Sequence, residues 1–199
     1  WWPSSLQFDS IDILCRSLLI TIRIKPLIPL VNIIFGCNKS CSYCIVPRTR
    51  GREMSRPWRE ITGECIHLAG HGYREITLVG QNVNSYRQEK EGTKSFGNLL
   101  RRVNDVLSDH HHQDGSTAWI RYITSHPRDC NEAHINAVAD CENVCENFHL
   151  PVQSGDDEIL RRMRRNYTSG GYRDLITRVR EKVPAATVTT DVIVGFPGE

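Results

Sequence analysis

Cys37, Cys41 and Cys44 fall within eight consecutive positions of the stretch FGCNKSCSYCIVPRTRGRE, residues 35 to 53. The CxxxCxxC spacing follows a strand-like run, so one irregular turn can aim all three sulfurs at a common centre. Three thiolates are one too few for a structural zinc, which takes a closed tetrahedron of four, and no Cys or His nearby stands at finger-like spacing. Three suit a cubane [4Fe–4S] cluster that leaves one iron without a protein ligand. The amino and carboxylate groups of S-adenosylmethionine can chelate that iron, which sets the sulfonium beside a low-potential electron source. One electron then breaks a C–S bond and releases a 5′-deoxyadenosyl radical, with the protein supplying position and shielding. The bland alternatives are three unrelated cysteines, or a zinc knuckle completed by a remote ligand.

Elements able to position such a turn are visible on either side of it. β-branched runs at 31–35, 75–80, 119–124, 146–152 and 187–195 predict five strands. Helical patterns at 59–71, 96–107, 131–139 and 156–183 lie between them, the last broken near Ser169-Gly170-Gly171. The alternation predicts an α/β fold with parallel strands and right-handed crossovers, and a partial (β/α) barrel is preferred over an open doubly wound sheet. Polar residues follow the strands in turn: Cys37, then Gln81 and Asn82, then Ser125 and His126, then Gln153 and Ser154, then Glu199. Such positions converge on the C-terminal mouth of a barrel. Five strands cannot close an eight-stranded barrel, so an open edge is expected. In the fourth helix Ser154 is the expected cap, Ile159, Leu160 and Met163 form the buried stripe, and Arg161, Arg162, Arg164 and Arg165 mostly face outward.

Composition excludes some classes and leaves others open. The 199 residues are 39% hydrophobic and 24% charged, enough for a real core, and the net charge of +2 makes any attraction to nucleic acid a matter of local clustering. The most apolar stretch, 11–35, is interrupted by Arg16, Arg23, Lys25, Pro26 and Pro29, so no membrane span is expected. Eight cysteines in a chain of this length read as reduced thiols of an intracellular protein rather than a disulfide scaffold. Cys141 and Cys145 read as small core residues, and His110, His111 and His112 as a solvated loop tip. Residues 1–30 show no clear period. The start at Trp1 and the end in DVIVGFPGE give the impression of a piece of something longer. Five arginines between Arg48 and Arg59, and eight basic against two acidic residues over 161–182, form two clusters suited to phosphate.

The string GCNKSCSYCIVPRTRGREMSRP resembles the signature of the radical S-adenosylmethionine methylthiotransferase family. LVGQNVNSY, TSHPRD, HLPVQSG, LRRMRRNY and DVIVGFPGE resemble, in order, segments of its branch that methylthiolates N6-isopentenyladenosine in tRNA. The resemblance covers about 31–199, and 1–30 are unlike the family. It implies a truncated barrel of the radical SAM type, holding a [4Fe–4S] cluster on Cys37, Cys41 and Cys44 together with S-adenosylmethionine. It places Tyr43 beside the adenine, Gln81 and Asn82 at the methionine end, Gln153 and Ser154 at the ribose, and Val192 and Gly195 along the adenine. It also makes Arg50, Arg52, Arg56, Arg165 and Tyr167 candidates for tRNA contact. Amides at strand ends also serve simply to satisfy loop backbone.

Family members carry an N-terminal domain with a second iron–sulfur cluster and a C-terminal RNA-binding barrel, and neither is seen here; Cys15 alone cannot hold a cluster. The fragment alone is therefore expected to form no methylthiolated tRNA. The resemblance further implies an electron donor such as a flavodoxin or ferredoxin system, and a location in the cytoplasm, or in a mitochondrion or plastid. The competing readings are a ribosomal-protein or threonylcarbamoyladenosine substrate, or a non-catalytic fragment.

Overall fold

The computed structural model of the chain describes residues 28–88 and 95–199. Strand β1 (Leu30–Phe35) leads into the cysteine loop and a single-turn helix α1 (Val46–Thr49). A two-residue strand β2 (Met54–Ser55) returns antiparallel along β1, and helix α2 (Trp58–Gly70) crosses over to β3 (Glu75–Gly80). Then come α3 (Phe96–Ser108), β4 (Trp119–Tyr122), α4 (Glu132–Asp140), β5 (Asn147–His149), α5 (Asp157–Arg162), α6 (Ser169–Lys182) and β6 (Thr187–Thr189).

β1, β3 and β4 pair in parallel with β2 at the outer edge, and β5 pairs in parallel with β6. The two ladders are linked through Ile120: its N–H donates to the Asn143 carbonyl at 2.7 Å, and its carbonyl accepts from Cys145 N–H at 2.9 Å. The parallel strands thus follow one another in chain order and never reverse. A doubly wound sheet reverses at a switch point, so this is an arc of a (β/α) barrel, as expected.

The β-branched strand residues Val31, Ile33, Ile34, Ile76 and Ile120 are fully buried. Parallel strands covered by helices read as such continuous apolar runs. Helices α2, α3, α4 and α6 pack in succession against one another, and Ile61, Leu99, Leu100, Val103, Ile135 and Val179 fill the layer between helices and strands. Each such side chain contributes roughly 1.5–3 kcal/mol by burial. Ser95, Asn131 and Thr168 cap α3, α4 and α6 by accepting a backbone N–H two or three residues into the helix. Gly97 lets α3 lie on α4, since a Cβ there would stand 2.1 Å from the Ala133 carbonyl oxygen.

Several local expectations need correction. The last three strands are shorter than their apolar runs: the backbone of Thr124 turns to φ 66°, and after Thr189 only an isolated bridge from Gln153 to Val192 continues the pairing. Asp156, not Ser154, caps α5, its carboxylate accepting from Ile159 N–H at 2.9 Å. Ser154 instead accepts from Asp156 N–H at 3.1 Å. The long helix breaks between Met163 and Thr168, and Gly170 and Gly171 belong to the first turn of α6, because Thr168 caps it there. Ile159, Leu160 and Met163 are buried as expected, and Arg161, Arg162 and Arg164 are exposed, but Arg165 is buried.

The loop tip at His110–His112 is a hydrogen-bonded turn, His112 N–H reaching the Ser116 carbonyl at 2.8 Å. Cys141 is buried and Cys145 half-buried. None of the described helices is long and apolar enough to cross a membrane. Residues 1–27, with Cys15, and 89–94 of the predicted polar loop lie outside the described residues.

Candidate active site at the C-terminal mouth of the strands

The turn that carries the cysteines starts at Gly36, whose φ of +68° is open to glycine and costly for other residues. A Cβ there would lie 2.2 Å from the Arg52 carbonyl oxygen, so the outgoing and returning strands touch at this point. Gln81, at the end of β3, accepts Gly36 N–H at 2.7 Å, and Cys37 N–H donates to the Gly51 carbonyl at 3.1 Å. The far side of the turn is tied to α5: Ser42 donates through its N–H to the Met163 carbonyl at 3.1 Å and through its hydroxyl to the Arg162 carbonyl at 2.9 Å. The loop is therefore held by backbone at both ends.

A cavity of about 220 Å³ opens beneath it. Its wall brings together Cys37, Cys41, Cys44, Tyr43, Gln81, Asn82 and Gln153, all expected at the cofactors from sequence, and Arg165, expected instead to face outward towards tRNA. Lys39, Thr124, Ser125, His126, His149 and Asp191 complete it together with Pro151. Ser154, Val192, Gly195 and Tyr167 are not on that wall. Val192 is 59% exposed and Gly195 is exposed, so the adenine edge expected there borders open solvent. Of the arginines proposed for tRNA, Arg50 and Arg52 are exposed beside the mouth. Arg56 is committed within the fold: it donates to the Asn32 carbonyl at 2.6 Å, pairs with Glu64 at 3.0 Å and stands 3.8 Å from Glu60, which leaves no free fork for phosphate.

Asp129 joins the loops. One carboxylate oxygen pairs with Lys39 Nζ at 2.7 Å and the other accepts Asn82 Nδ2 at 2.6 Å, so the turn carrying the cysteines, the end of β3 and the segment after β4 share one anchor. Two non-glycine residues on the wall, Thr124 and Gln153, sit at φ 66° and 72°. Strain of this kind, costing on the order of 1–3 kcal/mol each, persists where surrounding contacts enforce it and collects at functional sites. Thr124 is held by donating its hydroxyl to the Gly80 carbonyl at 2.6 Å, and Gln153 by backbone bonds of 2.9 Å to Asp191 and Ile193.

Electrostatics sort the polar groups by role. Burial pushes the Cys37 thiol up, opposed by the Lys39 N–H that points at its sulfur from 3.4 Å, so a ligated metal must displace a proton there. Burial raises Tyr43 to about 12, leaving a neutral phenol. Burial, assisted by the Arg165 cation, lowers His126 to about 3, so its ring is neutral at pH 7; because Nδ1 accepts Arg128 N–H at 3.2 Å, the proton resides on Nε2.

The residues fit an iron–sulfur cluster with a polar co-ligand. Besides three free thiols, Asn82 Oδ1 and Ser125 Oγ are buried beside the cavity without a protein partner, which a bound polar molecule would satisfy. Among the described residues no three His, Cys, Asp or Glu side chains converge on a single ion. A cubane does not require that, since its thiolates bind separate irons.

Residues 31–199 match the Radical SAM superfamily. The chain belongs to that superfamily. Across 169 residues this radical SAM domain is 48% identical to the tRNA-2-methylthio-N(6)-dimethylallyladenosine synthase of Alkaliphilus oremlandii, covering 85% of the chain and 34% of that relative. It is 47% identical to the synthase of the same name from Clostridium botulinum strain Alaska E43, covering 85% and 35%. The chain thus spans about a third of the length of the curated relatives it matches. Among solved structures, the radical S-adenosylmethionine methyltransferase TsrM from Kitasatospora setae, with cobalamin and a [4Fe–4S] cluster bound, superposes with a TM-score of 0.65 at 19% identity over 85% of this chain and 31% of that one. That likeness establishes the barrel arc.

Asp129, which ties the loops, and the wall residues Lys39, Thr124, His149 and Asp191 of the radical SAM domain escape sequence reasoning. Asp129 stands five residues past the end of the predicted third strand, within TSHPRD, and only the fold shows that it bridges two loops. His149 and Asp191 meet at 3.2 Å from positions 42 apart in sequence, a pairing invisible to local pattern.

Proposed function

We propose that this radical SAM domain is the S-adenosylmethionine-cleaving core of a methylthiotransferase that acts at C2 of N6-isopentenyladenosine in tRNA. The observation that carries the reading is that Cys37, Cys41 and Cys44 line one cavity together with Gln81, Asn82, Gln153 and Arg165. The 48% identity to synthases named for that nucleoside supports the branch. When bound, the cluster supplies one electron to the sulfonium of S-adenosylmethionine and so cleaves a C–S bond.

The rest is the work of this chain's residues. Cys37, Cys41 and Cys44 would ligate three irons. Asn82 Oδ1 and Ser125 Oγ would receive polar groups of the bound nucleoside, while Tyr43, neutral and 39% exposed at the rim, offers a ring for base stacking. Asp129 fixes the loops so that these groups face one another. Arg48, Arg50 and Arg52 beside the mouth, and Arg161, Arg162 and Arg164 on α5 and just after it, are exposed cations suited to an anionic backbone. Arg161 and Arg162 share Glu158, which weakens their claim relative to the first group.

The reading calls for a second iron–sulfur cluster as sulfur source and a one-electron donor of the flavodoxin or ferredoxin kind, both outside the described residues. It also goes with an intracellular setting, in which the seven described cysteines stay free.

The test is isotopic. Anaerobically reconstituted protein is given reductant, S-adenosylmethionine and an anticodon stem-loop whose N6-isopentenyladenosine carries deuterium at C2. The expected result is 5′-deoxyadenosine enriched in deuterium by mass spectrometry. Cleavage without deuterium transfer, together with transfer from a ribosomal-protein peptide or a threonylcarbamoyladenosine loop, would move the substrate elsewhere.

A further inference from the structure

Arg165 is a buried cation with no carboxylate partner among the described residues. Its side chain is only 4% exposed, and its donors go to neutral or sulfur acceptors: Nε to the Tyr167 hydroxyl at 3.0 Å, Nη2 to the Pro151 carbonyl at 2.9 Å, and Nη1 towards Cys41 Sγ at 3.5 Å. A charge taken out of water is costly unless an opposite charge compensates it, and three neutral acceptors do not.

The chain goes out of its way to put this cation there. On a continuing helix Arg165 would share the solvent face of Arg161 and Arg162. Instead Arg164 and Asn166, the residues on either side of it, both adopt φ 58°, the left-handed region that is costly for side-chain-bearing residues. That double reversal turns Arg165 inward while its N–H still closes on the Leu160 carbonyl at 3.0 Å. Tyr167 then braces the guanidinium from behind, donating its own hydroxyl to the Val152 carbonyl at 2.8 Å. The two Ser42 bonds to the end of α5 lock the separation between this side chain and the cysteine loop.

We infer that Arg165 sets the reduction potential of the cluster held by the cysteines, through its charge and its N–H directed at Cys41. The inference rests on the reading that the triad carries a [4Fe–4S] cluster. Reduction adds one electron, taken from an external one-electron reductant, and makes the cluster and its thiolates more negative. A fixed cation and a hydrogen bond to a ligand sulfur stabilise the reduced form more than the oxidised one, which raises the potential. The sequence-based expectation that Arg165 meets tRNA phosphate gives way to a role as a positioning residue acting through Cys41. Its burial, its bracing and its two strained neighbours suit a permanent partner better than one that comes and goes.

The test is an anaerobic redox titration of the whole chain, followed by electron paramagnetic resonance, without S-adenosylmethionine and without RNA. Wild type, Arg165→Gln and Arg165→Lys are compared after iron and sulfide quantitation. Arg165→Gln is expected to lower the reduced-to-oxidised ratio at a fixed applied potential about tenfold, which is 59 mV for a one-electron couple. Arg165→Lys, which keeps the charge and loses the fork, is expected to lower it about threefold. Where Arg165→Gln fails to retain iron, Arg165→Lys decides. An unchanged potential in the deciding variant overturns the inference, including the case in which only S-adenosylmethionine binding is weakened. A wild-type chain that assembles no four-iron cluster would instead defeat the reading beneath it, so the two failures are distinguishable.

Discussion

Cys41→Ala is expected to abolish the iron–sulfur signal of the reconstituted protein and to reduce cleavage of S-adenosylmethionine more than about a hundredfold, since even an outer contact to a metal ligand is worth 10–100-fold. Cys41 is half-buried on a loop whose fixed points lie elsewhere, in the Gly36 bond to Gln81 and the Ser42 bonds to α5. Removing its sulfur leaves those anchors and the core untouched, so the thermal midpoint of the protein without metal should stay within a few degrees of wild type. Circular dichroism melting alongside anaerobic product analysis checks both halves. Retention of full cleavage would show that the triad is not the electron-delivering ligand set.

The second large effect concerns stability and pH. His134 is 1% exposed, sits edge-on to Phe96 and Tyr122 with ring centroids 5.0 Å away, and lies 5.4 Å from Phe148. Neither ring nitrogen has a partner, and burial alone lowers its pKa to about 3. The unfolded chain would protonate the same ring near 6.5. Between those values the unfolded state binds the extra proton, so stability is complete above about pH 6.5 and is lost as pH falls towards 3, at up to ~1.4 kcal/mol per pH unit. By pH 4.5 the loss from this residue is about 2–3 kcal/mol, a large share of a typical domain's stability.

His134→Leu removes the titrating group and fills the site with apolar volume. It should be at least as stable as wild type at pH 7, with an advantage that widens to about 2–3 kcal/mol at pH 4.5, measured by urea unfolding. His126, also lowered to about 3, titrates in both proteins and cancels in the difference. A gap that does not change with pH would mean that His134 finds a partner or solvent in solution.

Much of this molecule was legible in its residues. The strand-then-loop rhythm is local, and it placed Cys37, Gln81, Asn82 and Gln153 at one mouth because parallel strands put successive C-terminal ends side by side. What escaped depends on contacts between distant segments or on backbone reversals. β2 is two residues long and exists only by pairing with the end of β1. Arg165 looked outward by helical period, and no sequence rule announced left-handed backbone at Arg164 and Asn166, since neither is glycine. Arg56 was half legible: Glu60 and Glu64 follow it at four and eight positions, spacing that a helix beginning at Trp58 brings towards it.

The proposed function requires that three cysteine thiolates hold a four-iron cluster with one iron free to take S-adenosylmethionine. Mössbauer spectroscopy of the ⁵⁷Fe-reconstituted chain, before and after S-adenosylmethionine is added, tests it most directly. About four irons and four sulfides per chain are expected, with a single iron site whose parameters move towards higher coordination on addition. A cluster in which no iron responds, or a chain that takes up zinc in place of iron under strict anaerobiosis, would contradict it.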